Sequence, residues 1–217
     1  MACGIGGIEM KKLVTIGDSL TFCYGISMQS CWTHILEHHL KIKVINKGIN
    51  GDTTLGMLSR FEADVVQSQP HYVMIMGGTN DLMMGNHVNH VTHNVDKMIE
   101  MANESHIDVI LAVPPPIDVE NVREEWIVDT DFASVYISML DYRKNLLDFA
   151  QHYNLIAIDF FQEMYNHTNG TIDHLFIDGI HLNEEGNAIL SNIAISNLRP
   201  LLLDTEKRSF KNTECRG

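Results

Sequence analysis

Five short apolar runs alternate along the chain with longer segments whose apolar residues recur at helical spacing. The runs are Lys12–Ile16, Lys43–Asn46, Tyr72–Met76, Asp108–Val113 and Leu155–Asp159. Their apolar residues are mostly continuous, which is typical of strands buried on both faces, as in a parallel sheet. The pattern therefore predicts a set of buried parallel strands.

Between and after these runs, apolar residues repeat every three or four positions, as on the buried face of a helix. The apolar stripes begin at Trp32, Leu55, Val91, Leu140 and Ala188. Alternating strands and helices predict an α/β fold, a single-domain doubly wound three-layer sandwich with about five parallel strands and right-handed crossovers. In such sheets the ligand lies beyond the carboxyl ends of the strands, where the strand order reverses.

The alternation is predicted to span residues 10–203 as one domain. Met10 is followed by two lysines and looks like a natural start, so residues 1–9 are expected to be an N-terminal extension. Residues 204–217 are polar and charged and are expected to form a frayed tail.

Residues 114–131 have no clear period and are long for a connection between a strand and a helix. Trp126, Ile127 and Val128 lie within this segment. Three interpretations have equal weight: a lid over a substrate, a cover for the core, or a contact in a dimer. The sequence thus leaves a homo-oligomer open.

Composition and charge narrow the class of protein. The 217 residues are 45% hydrophobic and 20% charged, as in an ordinary globular domain. A net charge of −13 disfavours nucleic acid and anionic membrane surfaces as partners. No apolar run approaches the roughly 20 residues that span a bilayer, so stable membrane insertion is not expected.

The N-terminal residues lack the charged start and long apolar stretch of a secretory signal. Cys3, Cys23, Cys31 and Cys215 contain no CxxC pair, and two of them lie near the ends of the chain. They are therefore interpreted as reduced thiols of a cytoplasmic protein and not as zinc ligands.

The first candidate for chemistry is Ser19, which follows the first predicted strand in the segment GDSLT. A serine hydroxyl becomes a good nucleophile when a neighbouring base takes its proton. The GxSxG elbow of α/β-hydrolases is absent, because Leu20 and Thr21 follow the serine. On this segment alone, a role as helix cap is about equally good.

Asp178 and His181 lie three residues apart in the segment DGIHLN. In a turn, the carboxylate can hold one imidazole nitrogen while the other takes a hydroxyl proton. Asn183 and the two glutamates after it indicate a helix start that would fix this turn. A local Asp–His hydrogen bond without chemistry is the alternative.

Gly51 and Asn80 follow the second and third predicted strands, in the segments NGDTT and GGTND. A glycine lets the backbone approach a ligand, and its N–H can point into the cleft. An asparagine side chain can donate an N–H to a developing oxyanion. Taken singly, both segments are also ordinary turns with helix caps.

The four segments together resemble the blocks of the GDSL or SGNH hydrolase family, which is named for its Ser, Gly, Asn and His blocks. They read GDSLT, NGDTT, GGTND and DGIHLNEEG here, in the family's order and at its approximate spacing. The resemblance extends over residues 11–199. It implies the flavodoxin-like fold of SGNH hydrolases.

The resemblance also implies roles for individual residues. Ser19 is expected to be the nucleophile, His181 the general base and then acid, and Asp178 the residue that orients His181. The backbone N–H groups of Ser19 and Gly51, with the side chain of Asn80, are expected to form the oxyanion hole.

Asp18 and Gly78 are expected to support the site without reacting. The activity implied is that of a serine hydrolase (esterase, lipase or acylhydrolase) cleaving carboxylic esters or thioesters through an acyl-serine, with neither cofactor nor metal. The expected partner is a small-molecule ester with a small or short-to-medium acyl group.

Other interpretations compete with this one. A transferase of the same fold would pass the acyl group to an alcohol, and a non-catalytic flavodoxin-like module would bind an anion at the helix after GDSLT. His87, His90 and His93 are spaced by three, which suggests a metal site, but a solvated helix entry is the favoured interpretation.

Four methionines near the third block could line an acyl pocket. They are Met74, Met76, Met83 and Met84. Packing in the core is their default interpretation.

Overall fold

Five parallel strands form the centre of the computed structural model, which describes residues 10–127 and 130–203. The strands are β1 (Lys12–Gly17), β2 (Lys43–Gly48), β3 (Tyr72–Met76), β4 (Asp108–Val113) and β5 (Ile156–Asp159). Their order is β2-β1-β3-β4-β5, and every neighbouring pair is parallel. The predicted fold class is confirmed: β3 and β4 have the predicted bounds, and each of the other three strands differs at one end by one or two residues.

Helices cover both faces of the sheet. They are α1 (Ser19–Phe22), α2 (Trp32–Leu40), α3 (Thr54–Asp64), α4 (Thr79–Met83), α5 (Val88–Glu104), α6 (Glu124–Ile127), α7 (Phe132–His152), α8 (Phe160–His167) and α9 (Glu184–Leu203). The predicted stripes lie on α2, α3, α5, α7 and α9. The periodicity missed α8, which follows β5 directly and starts where the side chain of Asp159 accepts a hydrogen bond from Gln162 N.

Each face of the sheet has its own apolar core. Helices α3, α5 and α7 bury residues such as Phe61 on one face, and α2, α8 and α9 bury residues such as Trp32 on the other. Leu55 and Leu140 belonged to predicted stripes, yet they are 63% and 40% exposed. On α3 the buried face is centred on Met57 and Phe61, so a residue two positions before Met57 points away from the core.

The strand order reverses between β1 and β3. The chain passes from β1 to β2 on one side and then returns to place β3 on the other. The loops that carry Ser19 and Asn80 leave the carboxyl ends of these two strands. The candidate residues therefore lie where doubly wound sheets place their ligands.

The long segment after β4 is attached to the turn that carries His181. Asp118 N donates to Gly179 O (2.8 Å), and Arg123 N donates to Asp178 O (3.2 Å). A side chain on Gly179 would lie 2.6 Å from the backbone of Val122, so the close approach requires glycine. The segment forms α6 and one turn of 3₁₀-helix. Val128, which belongs to the same segment, lies outside the described residues.

Cys23 and Cys31 form a disulfide, so the prediction that the cysteines are reduced thiols is wrong for these two. The chain folds back between the end of α1 and the start of α2 and brings the two Cα atoms within 5.5 Å. The prediction of a cytoplasmic location rested on reduced thiols, and disulfides persist mainly in oxidising compartments. That location stays a prediction, without this support.

Within the described ranges, no helix combines the length and the apolarity needed to cross a bilayer. Both ends of the chain, with Cys3 and Cys215, lie outside the described residues. The predicted extension at 1–9 and the tail at 204–217 therefore stay predictions.

Candidate active site

Ser19 is the first residue of α1, and Asp18 is the residue that caps this helix. Asp18 Oδ1 accepts a hydrogen bond from Leu20 N (2.9 Å). A side chain at Gly17 would clash with the backbone oxygen of Met76 and with Thr21 Oγ1, so the turn out of β1 needs glycine. Because Asp18 fills the capping role, the hydroxyl of Ser19 is free for another partner.

That partner is His181. Ser19 Oγ lies 2.9 Å from His181 Nε2, and His181 Nδ1 lies 2.8 Å from Asp178 Oδ2. All three side chains are buried, with residue exposures of 6%, 7% and 3% in that order. A hydroxyl, an imidazole and a carboxylate in line can move the serine proton to the ring while the carboxylate stabilises the resulting charge.

The turn that carries His181 is held by its own hydrogen bonds. Asp178 Oδ1 accepts from His181 N (2.8 Å) and Ile180 N (3.1 Å). Burial alone would raise the pKa of Asp178, but these bonds and the imidazole together outweigh it and hold that pKa below its ordinary value. Asn183 then caps α9, since its side chain accepts from Gly186 N (3.0 Å).

The two segments assigned to the oxyanion hole lie beside each other at the carboxyl end of the sheet, on the side of the turn that carries Ser19. Asn80 Nδ2 donates to Asp52 O (2.9 Å), next to Gly51, whose φ is +74°. Asp81 accepts from both the backbone N and the hydroxyl of Thr54 (2.8 and 2.7 Å). These bonds join the start of α3 to the start of α4 and bring Gly51 and Asn80 to one place.

Gly78, predicted as a supporting residue, precedes α4 with a φ of +112°. A side chain there would lie 2.6 Å from the ring of Tyr142, whose hydroxyl donates to Gly77 O (3.0 Å). The position therefore requires glycine for two reasons, the left-handed backbone and the approaching ring.

Two buried carboxyl groups lie under the site. Burial, aided by the neighbouring carboxylates of Asp81 and Asp52 and opposed by the hydrogen bond from Leu20 N, raises the pKa of Asp18 to about 7. Burial also raises the pKa of Asp81. Among the described residues, Asp18 Oδ2 and Thr21 Oγ1 are buried without a hydrogen-bond partner. An ionised Asp18 carboxylate beneath the serine turn is therefore energetically unfavourable.

Arg60 is a structural partner of the site that the sequence reasoning missed. Its guanidinium contacts Asp52 Oδ2 (2.7 Å) and Asp64 Oδ2 (2.7 Å) and donates to Gly17 O (3.0 Å). It therefore ties the Gly51 loop to the end of β1. Its pair with Asp64 is an ordinary i, i+4 pair on α3, and its bond to Gly17 O joins α3 to β1, so no local motif marks it as part of the site.

Two aromatic rings flank His181. The ring of Tyr24 is centred 4.4 Å from the imidazole and that of Trp126 is centred 6.0 Å from it. Both side chains are partly exposed, at 41% and 40%. Sequence reasoning missed Tyr24, while the position of Trp126 favours the lid interpretation over the core-cover interpretation.

The remaining candidates lie elsewhere. Met74 and Met76 are core residues, 0% and 1% exposed, whereas Met84 is 66% exposed. With Met83, Met84 lines a cavity of about 970 Å³ between the end of α4 and α7. At the start of α5, His87 accepts a hydrogen bond from Asn89 N, and its ring is centred 6.3 Å from that of His90.

Comparison with known proteins points in one direction. The sequence pattern of the GDSL-like Lipase/Acylhydrolase family matches residues 15–189. An arylesterase from Vibrio mimicus is 34% identical over 113 residues, which are 48% of this chain and 56% of the arylesterase. The chain thus spans little more than half of that relative's length.

A longer match is to the Escherichia coli K12 protein named thioesterase 1/protease 1/lysophospholipase L1, 23% identical over 194 residues, 88% of this chain and 84% of that protein. Among solved structures, a protein assigned to the lipolytic G-D-S-L family from Desulfitobacterium hafniense DCB-2 has a TM-score of 0.74 and 26% identity. The alignment covers 87% of this chain and 99% of that chain.

Proposed function

Because this chain belongs to the GDSL-like lipase/acylhydrolase family, we propose that it hydrolyses carboxylic esters with Ser19 as the nucleophile. The observation that carries the proposal is the line of two hydrogen bonds from Ser19 Oγ through His181 to Asp178, 2.9 and 2.8 Å long. The predicted family is confirmed by the match, and the roles below are our assignment.

In the first step, Ser19 Oγ attacks the acyl carbonyl while His181 Nε2 takes the hydroxyl proton. Asp178 accepts a hydrogen bond from His181 Nδ1–H and stabilises the imidazolium that forms. The depressed pKa of Asp178 keeps it ionised, as this role requires. His181 then gives the proton to the leaving alcohol or thiol, and an acyl-serine forms.

The negative oxygen of the tetrahedral intermediate needs donors at hydrogen-bond distance. The N–H of Ser19 is at the start of α1, where backbone donors have no partner within the helix. We assign the N–H of Gly51 and the second N–H of Asn80 Nδ2 as the other donors, since the first is engaged with Asp52 O. Such preorganised donors stabilise the transition state more than the substrate.

In the second step, water takes the place of the leaving group. His181 accepts a proton from the water, the hydroxide attacks the acyl carbonyl, and the proton returns to Ser19 Oγ as the acid leaves. Every proton in this sequence moves between water, substrate and side chains of the chain itself.

Small or short-to-medium acyl groups are the proposed substrates, as oxygen esters or thioesters. The cavity beside Ser19 and His181, bordered by Tyr24 and Leu182, encloses only about 10 Å³. A space of this size holds about one water molecule, so the acyl group of any substrate extends along the exposed rim, where Tyr24 and Trp126 lie.

A fluorophosphonate probe followed by peptide mass spectrometry tests the proposal. We expect covalent addition to Ser19 in the wild type and none in Ser19→Ala, with Ser196→Ala as a control on an exposed helix position. A parallel assay with aryl esters of graded chain length reports the acyl preference. An unlabelled wild type that cleaves no aryl ester contradicts the proposed function.

A further inference from the structure

One face of α2 carries two histidines and a glutamate that serve no step of ester hydrolysis. They are His34, Glu37 and His38, spaced by three and four residues, so they share a helix face. One ligand atom from each lies within 4.8 Å of the others, and the two imidazole rings are centred 4.2 Å apart. Three donor atoms this close can share one ion.

The carboxylate is held in place before any ion binds. Glu37 Oε1 accepts a hydrogen bond from Val44 N (3.2 Å) at the start of β2, which leaves Oε2 available. Hydrogen bonds of this kind orient the ligands of metal sites. His34 and Glu37 are half-buried, and His38 is exposed, so the cluster is both ordered and accessible.

The cluster also borders an open space. His34 and Glu37 line a cavity of about 410 Å³ between α2 and β2. Two imidazoles and one carboxylate form a ligand set that zinc uses when a fourth position is left for water or another small ligand. Imidazole ligands favour zinc, copper and nickel over calcium and magnesium, which prefer oxygen.

We propose that His34, Glu37 and His38 bind one divalent transition-metal ion of the zinc type, with a coordination position open to the cavity between α2 and β2. The site is separate from the proposed ester chemistry, which uses residues of other elements. Its effect is on stability: α2 packs on α9, where Asn187 accepts from Trp32 N (3.4 Å), and an ion that binds only the folded helix stabilises this contact.

Zinc titration by calorimetry on tag-free protein at about pH 7.5 tests the site, because zinc ligands have to be unprotonated. We expect one ion per chain in the wild type. The double variant His34→Ala/His38→Ala should lose at least about tenfold in affinity, since even loss of an outer-sphere partner costs this much. The matched control His39→Ala/His90→Ala removes two exposed histidines outside the cluster and should bind zinc as the wild type does.

A second variant keeps the result interpretable if the double variant is poorly folded. Glu37→Gln retains size and helix propensity but removes the charge, and it should weaken zinc binding while circular dichroism without metal stays unchanged. Saturating zinc should raise the melting temperature of the wild type and the control but not of the cluster variants. Zinc affinity equal in the wild type and in the double variant, or no binding of one ion by the wild type, overturns the proposal.

Discussion

The two sides of the candidate site, the proton-transfer side and the oxyanion side, are held together by different means. On the first, Ser19, His181 and Asp178 are buried and joined by two direct side-chain hydrogen bonds. On the second, Gly51 and Asn80 come from separate segments, which are joined by the bond from Asn80 Nδ2 to Asp52 O and by the bonds between Thr54 and Asp81.

The supports of the two sides differ as well. The oxyanion loops are braced by paired charges and polar groups, Arg60 against Asp52 and Asp81 against Thr54. Under the serine, Asp18 is a buried carboxyl with one oxygen unpartnered among the described residues. Substitutions on the proton-transfer side should therefore abolish turnover, whereas substitutions on the oxyanion side should reduce it in steps.

The largest expected effect is on the proton-transfer side. Ser19→Ala and His181→Ala should each lower kcat for an aryl ester by about 10⁴-fold or more while the fold survives. Because the two residues act as one unit, the double variant should be scarcely slower than either single one. Progress curves with matched circular dichroism spectra check this, and a Ser19→Ala enzyme within about tenfold of wild type contradicts the nucleophile assignment.

Also on the proton-transfer side, the variant Asp18→Asn should distinguish effects on stability from effects on catalysis. Burial raises the pKa of Asp18 from 3.8 to about 7, so the carboxyl contributes most to stability below pH 3.8 and this contribution is lost as pH rises through about 7. Asparagine keeps the cap but cannot ionise. Between about pH 4 and pH 8, the free energy of unfolding of the variant should gain about 4 kcal/mol relative to wild type.

Urea unfolding across that pH range measures this difference, with the exposed Asp148→Asn as control. A difference between wild type and Asp18→Asn that stays constant with pH shows that Asp18 is ionised at no cost in the folded protein.

On the oxyanion side, Asn80→Ala should lower kcat by roughly 10²–10³-fold, as expected for the loss of one donor. Asn80→Asp has nearly the same shape but points a negative oxygen at the developing charge, so it should be the slower of the two at about pH 8. KM should change much less than kcat in both. Wild-type activity of Asn80→Asp at that pH assigns Asn80 to structure alone.

The smallest expected effect concerns the rings that flank His181. Tyr24→Ala and Trp126→Ala should each weaken the use of aryl esters by about 1 kcal/mol in kcat/KM, mainly through KM, because an aromatic contact contributes about that much. Phe22→Ala, another exposed aromatic residue, is the matched control. Equal losses in all three variants indicate a general effect on the loop and not contact with the substrate.

Much of the fold follows from local patterns. Continuous apolarity marks strands such as Tyr72–Met76, all of whose residues are buried, because a strand covered on both faces has no polar side. The helix α8 was missed because it follows Asp159 without a loop. Leu55 and Leu140 were misplaced because a period in sequence does not say which residue lies at the centre of the buried face.

The candidate site divides in the same way. The blocks around Ser19 and His181 are short and contiguous, so a family resemblance detects them. The bond of Arg60 to Gly17 and the contacts of Tyr24 and Trp126 with His181 join distant elements, and no local spacing reports them. The Cys23–Cys31 bond escaped notice because its closure depends on how the chain turns back after α1.

The distance in sequence between the serine and its base has a consequence for biosynthesis. Ser19 and His181 are 162 positions apart, and four of the five strands are encoded between them. A growing chain exposes the serine first and completes the histidine turn only near the end of the domain. In the proposed mechanism, nascent chains therefore hold an unactivated hydroxyl, and the onset of ester turnover marks the moment when the final β–α unit has docked.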